Sequence, residues 1–355
     1  MPAGKQVTFT GSGKISGNRS PLFTVEEGGA LTLSGPTFIN AQFSVAGDMS
    51  LVGGAIRDTA VTGPVVFVNG GTLTIGGDAE FSGNNVSDES GELRPAGVEK
   101  EKYSPITAYN GTVRVEGGTL SKNRGLLRGG AIGLWARDGG QPTFEMTGGT
   151  LIGNVISHPK YRGRGGAVYG EGTSVNISGG TVQENTTELG AGLAFINSDV
   201  SLSGGVVVQG NDNGEYEGFG GGLFQSGGSL AIKDATFTEN VSTASGGAIR
   251  ADDAKVEISG AEITSNTAAS SGGGISFGGK TVASIYAATI SDNTAEGFWG
   301  GGAIYNDTHA KMTIYNGVIR DNVIKPGYLV QAGNHPVSAQ GGGVWNCPTG
   351  STVMH

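Results

Sequence analysis

The chain has 355 residues, 68 of them glycine, with one cysteine, 15% charged residues and a formal net charge of −9. Glycine at about one residue in five, without a triplet period or high proline, excludes collagen, and a 36% hydrophobic share argues against a disordered chain. The acidic balance argues against nucleic acid and anionic membrane surfaces as partners, and the lone Cys347 forbids an internal disulfide.

Taken from the start, the chain shows no secretory leader, no run of about 20 apolar residues and no capping helix before a first strand at Gln6. A closing asparagine then recurs at Asn18, Asn40, Asn84, Asn123, Asn154, Asn185, Asn211, Asn240, Asn266, Asn293 and Asn322, with Thr59 standing in once. The steps run from 19 to 39 residues, a repeat in the twenties with insertions. Each unit offers short alternating runs bounded by glycine, as in KVEISGAEITSN from Lys255 to Asn266, and that alternation is the signature of a strand with one face buried.

Three short strands per turn predict an all-β fold: a single-stranded, right-handed parallel β-helix of about twelve rungs, on the order of 55 Å long at one inter-strand spacing per rung. The whole chain, 1–355, reads as one domain cut from a longer surface protein, with insertion loops at 85–109 and 323–340. The asparagines should stack as a ladder, clearest at Asn185, Asn240, Asn266, Asn293 and Asn322, each tolerating the left-handed turn conformation and bonding its amide to the next rung. An apolar column three residues earlier (Ile15, Phe81, Leu120, Leu151, Val182, Phe237, Ile263, Ile290, Ile319) should fill the coil.

The paired motifs GGA-[ILV] and Phe-x-x-Asn resemble the repeats of the chlamydial polymorphic outer-membrane proteins, and more broadly of β-helix surface adhesins. They stand here at Gly246 to Ile249 with Phe237 to Asn240, at Gly129 to Ile132, Gly165 to Val168 and Gly301 to Ile304, and at Phe81 to Asn84. The resemblance implies an extracellular bacterial surface protein that binds a host-surface glycan or extracellular-matrix protein, or serves as the stalk of one, without chemistry or cofactor; direct membrane insertion is not expected of this stretch, where the sequence departs from the family.

Insertions gather between the closing asparagine and the next glycine run, at Val155 to Arg164, Asp212 to Phe219, Thr294 to Trp299 and Val323 to Gln340. Leaving the coil at one corner, they should share a face, and solenoids often bind through such a face. They carry Tyr161, Tyr216, Phe219, Phe298, Trp299 and Tyr328, side chains suited to sugar rings or protein surfaces; the plainer expectation is that each folds back over its own rung.

Chemistry has thinner support. The histidines lack ligand spacing, no phosphate-loop motif is present, and Cys347 reads as a packing residue. Asp292 and Asp321, each just before a ladder asparagine, could share a calcium ion or simply be solvated. A carbohydrate-active β-helix enzyme is the alternative, and its candidate acids are Asp252 with Asp253, Glu215 with Glu217, and the Asp292/Asp321 column.

Overall fold

The computed structural model describes residues 1–17, 21–86, 103–156, 162–214, 217–297, 300–325, 341–347 and 349–354. Among them there is no helix, and the strands pair in parallel. The chain forms two compact units, Met1–Thr186 and Thr187–His355. Each is a β-solenoid, and together they make about 11 turns.

One turn of the second unit shows how the sequence builds the coil. Ile249–Asp252 follows the glycine run, Lys255–Ser259 and Glu262–Thr264 come next, and a two-residue strand, Thr267–Ala268, follows the asparagine. That fourth strand was not expected. It arises because the asparagine fixes a corner, and the residues beyond it have backbone groups that only the neighbouring turn can pair. The next turn repeats the set in register, with Ile249 opposite Ile275, Ile258 opposite Ile285 and Ile263 opposite Ile290. In the first unit Ile106–Tyr109, Thr112–Val115, Thr119–Ser121 and Arg124–Gly125 stack in the same way on Ile132–Trp135, Thr143–Met146, Thr150–Ile152 and Val155–Ile156.

Alternation decides which side chains enter the coil. In Lys255–Ser259 the inward Val256 and Ile258 are 2% and 0% exposed, while Lys255 and Glu257 lie in solvent. The predicted apolar column is inside: Phe81, Leu120, Leu151, Val182, Phe237 and Ile263 are fully buried, each contributing about 2–3 kcal/mol of burial. Ile15 and Ile319, in the outermost turns, are half-buried. Four phenylalanines, Phe9, Phe23, Phe38 and Phe43, fill the first turns through ring contacts of 5.2 to 6.2 Å.

The ladder forms in both units. The backbone N–H and Nδ2 of Asn84 donate to Asn123 Oδ1, those of Asn123 to Asn154, and those of Asn154 to Asn185, at 2.9 to 3.1 Å. The second unit runs from Asn211 through Asn240, Asn266 and Asn293 to Asn322 at the same distances. The Nδ2 groups of Asn84, Asn123, Asn154, Asn185, Asn240, Asn266, Asn293 and Asn322 also reach back to a carbonyl of the preceding turn, as Asn266 does to Phe237 at 3.0 Å. Thr59 keeps the ladder position by donating its backbone N–H to Asn84 Oδ1 at 3.3 Å.

Two details of the expected ladder are corrected. The left-handed residue is the one before the asparagine: Asp58, Lys122, Glu184, Glu239, Ser265, Asp292 and Asp321 have φ between 51° and 59°. The ladder asparagine follows that corner with its side chain turned inward. Asn40 (φ 47°) occupies the corner itself, and with Phe38 paired to Ile56 the ladder position on its turn falls to the buried Ala41. Asn18 lies outside the described residues.

The glycine run has a steric cause. Gly246 has φ +73°, and a Cβ there would also meet the Ile249 carbonyl oxygen. Gly247 has no such dihedral, yet its Cβ would strike the carbonyl of Gly273 on the next turn. The third position admits one methyl, and Ala248 is fully buried, so GGA-[ILV] is the outline of one tight corner.

Candidate functional site

In each unit the insertions do leave from one stack of strands. Asn85–Val86, Arg124–Gly125 and Val155–Ile156 pair in parallel in the first. Val241–Ser242, Thr267–Ala268, Thr294–Ala295 and Val323–Ile324 pair in the second. The insertion expected at 85–109 leaves from this same corner, and its two ends are regular strand, Asn85–Val86 and Ile106–Tyr109.

Of the six aromatic residues expected on the loop face, Tyr161, Tyr216, Phe298, Trp299 and Tyr328 lie outside the described residues. Phe219 is half-buried. Its N–H donates to the Glu188 carbonyl at 3.0 Å, and the Arg250 guanidinium sits 5.5 Å from its ring centroid. Its contacts are thus with the turns on either side.

A second aromatic group comes from strand positions that the sequence reading passed over. Phe67, Tyr109, Trp135 and Tyr169 form a continuous row on the outer side of four stacked strands, Val66–Asn69, Ile106–Tyr109, Ile132–Trp135 and Val168–Glu171, with centroids 5.8 to 6.0 Å apart. Trp135 lies across Gly133, where a Cβ would meet the indole. Arg137 stands over Tyr109 at 5.7 Å and Arg128 over Tyr169 at 5.6 Å. Tyr109, Trp135 and Tyr169 are only 2–3% exposed, so the row acts as a small external core holding this corner in shape. Its signal was present in the sequence: aromatic residues occupy outward positions of the alternation where polar ones are the rule.

Beside that row is a cluster of arginines. Arg128 and Arg164 are directly paired on neighbouring turns. Arg128 Nη1 donates to the Leu127 and Arg162 carbonyls at 3.0 and 3.2 Å. Arg124 and Arg162 are exposed on the same two connections. Both paired arginines act on Tyr169: burial first, then the Glu171 carboxylate, push its hydroxyl above the ordinary tyrosine range, and Arg128 and Arg164 oppose that shift.

Three of the carboxylates considered for catalysis, Asp252, Asp253 and Asp321, have partners within the coil. Asp252 is held by Arg250, 2.8 Å from Nε and 2.7 Å from Nη2. Asp253, at a left-handed corner, accepts the Lys280 N–H at 2.9 Å. Glu217 is exposed, and Glu215 lies outside the described residues. Asp292 and Asp321 occupy the left-handed corner, which aspartate tolerates better than most residues; Asp321 pairs with Arg320 at 2.6 Å. Among the described residues no three His, Cys, Asp or Glu side chains come together. Cys347 is 8% exposed, 3.2 Å from the Tyr305 hydroxyl. If backbone shape is what selects the acids of this column, Asp292→Asn with Asp321→Asn should move stability by less than about 0.5 kcal/mol. Added calcium should not shift the melting curve of either form; a calcium-dependent rise that the double variant loses would instead make the column a metal site.

The fold and this corner define a parallel β-solenoid with asparagine ladders and a decorated loop edge. No protein-family model, no curated protein and no solved structure matches the chain.

Proposed function

We propose that the chain is a non-enzymatic recognition region of a bacterial surface adhesin, whose solenoid presents its loop corner to a host glycan or extracellular-matrix protein. The observation that carries this reading is the stacking of the insertion points. Within each unit a rigid, laddered scaffold holds successive connections along one edge, the arrangement through which solenoids present variable loops. The reading is supported by the structural employment of Asp252, Asp253 and Asp321, which leaves the enzyme alternative without a described pair of converging acids. An extracellular setting accords with a binding role of this kind.

The test is binding of the chain to a mixed array of host glycans and matrix proteins, with assay of the bound glycans for cleavage. Saturable binding with every glycan intact is expected, weakened by Phe298→Ala with Trp299→Ala if that connection takes part. Release of shortened or unsaturated sugars would establish the enzyme instead, and no binding to any member would reduce the chain to a spacer.

A further inference from the structure

Two tyrosines of the second unit lie face to face on the outside of the coil. Tyr286 belongs to the strand Val282–Ser291, and Tyr315 to Lys311–Arg320, its parallel neighbour on the next turn. Their ring centroids are 4.5 Å apart and their planes differ by only 5°. The two hydroxyls are hydrogen-bonded to each other, which raises that of Tyr315 above the ordinary tyrosine range. With ring faces in contact and oxygens joined, the carbons beside the two hydroxyls are brought together.

The backbone beneath them is irregular, and it leaves the pair room to move. Ile285 stands opposite Ile314, yet Tyr286 stands opposite Asn316, so Tyr315 is the extra residue of a bulge. Ala287, with φ 48°, donates its N–H to Asn316 Oδ1 at 2.7 Å and holds this step in place. Tyr286 is half-buried and Tyr315 is 41% exposed. By contrast Tyr103, Tyr109, Tyr169 and Tyr305 are 1–7% exposed and belong to the packing. Among the described residues, this is the one tyrosine pair that combines ring contact with access from solvent.

We propose that Tyr286 and Tyr315 form an oxidative cross-linking site, coupled into a dityrosine by hydrogen peroxide acting through a haem peroxidase, and that the link staples two turns of the second unit. Each phenol gives up one electron and one proton, leaving a phenoxyl radical whose unpaired spin is shared with the carbons beside the oxygen. The orbitals of those carbons project from the ring faces, so face-to-face rings are set for the new carbon–carbon bond. The hydrogen on each joined carbon then moves to the oxygen of its own ring and restores both phenols. Peroxide takes up the two electrons and two protons and leaves as two waters. In the finished product the new bond lies in the ring planes, so one ring must swing aside, and Tyr315 has that freedom on its bulge. A covalent tie between turns restricts the unfolded chain and so favours the folded one. The site is independent of the recognition reading above, since it uses neither the loop corner nor a bound glycan.

The test is treatment of the whole chain with a haem peroxidase and hydrogen peroxide over a range of protein concentrations, read by dityrosine fluorescence and by peptide mapping with mass spectrometry. The monomer should lose two hydrogens and yield a linked peptide pair carrying Tyr286 and Tyr315, in a proportion that does not change with protein concentration. Tyr286→Phe and Tyr315→Phe each keep a ring in the stack and should leave the untreated melting curve in place, yet each should lower this product at least about tenfold. Tyr109→Phe should leave the product unchanged. The linked chain should unfold at a higher temperature than the untreated one, a rise that treated Tyr315→Phe lacks. Dityrosine found only between molecules or at other tyrosines, or none under conditions that couple free tyrosine, would overturn the site. A link at Tyr286 and Tyr315 without the thermal rise would overturn the staple.

Discussion

Gly247→Ala should destabilise the second unit by about 4 kcal/mol or prevent its folding. Gly247 does not have a left-handed φ, so the cost is steric alone. The new Cβ would meet the Gly273 carbonyl oxygen and stand 2.7 Å from the Thr267 carbonyl oxygen. Both belong to the backbone of the next turn, which cannot withdraw without breaking the parallel ladder. Gly13→Ala is the matched comparison. A Cβ there meets nothing within 4 Å, and removing glycine entropy from the unfolded chain should leave stability unchanged or raise it by about 0.4–1 kcal/mol. Thermal and denaturant unfolding of the two variants measures the difference; similar melting curves for both would show that the turns are not packed this closely.

Asn266→Ala should cost about 3 kcal/mol. Asn266 is fully buried. Its Oδ1 accepts both the backbone N–H and Nδ2 of Asn240 at 3.0 Å, and its Nδ2 donates to Phe237 O, Thr264 O and Asn293 Oδ1. Alanine leaves the Asn240 donors and the Asn293 acceptor facing a void that can neither supply partners nor admit bulk water, and each orphaned buried group costs about 1–3 kcal/mol. Asn266→Asp probes the same position differently: the carboxylate retains acceptors for Asn240 but has no donor for Phe237 or Asn293, so it should also destabilise. An unchanged unfolding midpoint for the alanine variant would refute the ladder as a stabilising element.

Much of this architecture can be read from the chain because a solenoid writes its geometry locally. The inward column, the asparagine spacing and the GGA-[ILV] corners each obey a constraint set by the adjoining turn, so the same residue types return at each repeat. What escaped the sequence reading depends on a finer register. Asn40 looked like a ladder residue because asparagine suits both the ladder and the left-handed corner one position earlier; only its pairing through Phe38 to Ile56 separates them. The two-residue strands after the asparagine are too short to show a period.

The candidate corner was partly visible. The shared departure point of the insertions follows from the asparagine register, and the basic run around Arg162 and Arg164 stands out in the sequence. Its meeting with Arg124 and Arg128 does not, because the partners are about one turn apart and the connection between them varies in length. The aromatic row was hidden for a different reason. Tyr109, Trp135 and Tyr169 occupy outward strand positions, where an aromatic residue reads as an exception rather than as part of a second, external core.

The most direct measurement of the register on which this account depends is hydrogen exchange at the backbone amides of Asn240, Asn266 and Asn293, followed residue by residue by NMR. Each N–H donates to a side-chain oxygen of the next ladder asparagine, at 2.9 to 3.0 Å. These amides should exchange as slowly as the strand amides beside them, and Asn266→Ala should selectively release that of Asn240. Exchange of all three in the folded chain at the rate of exposed corner amides would contradict the ladder, and with it the stacking of the loop corner.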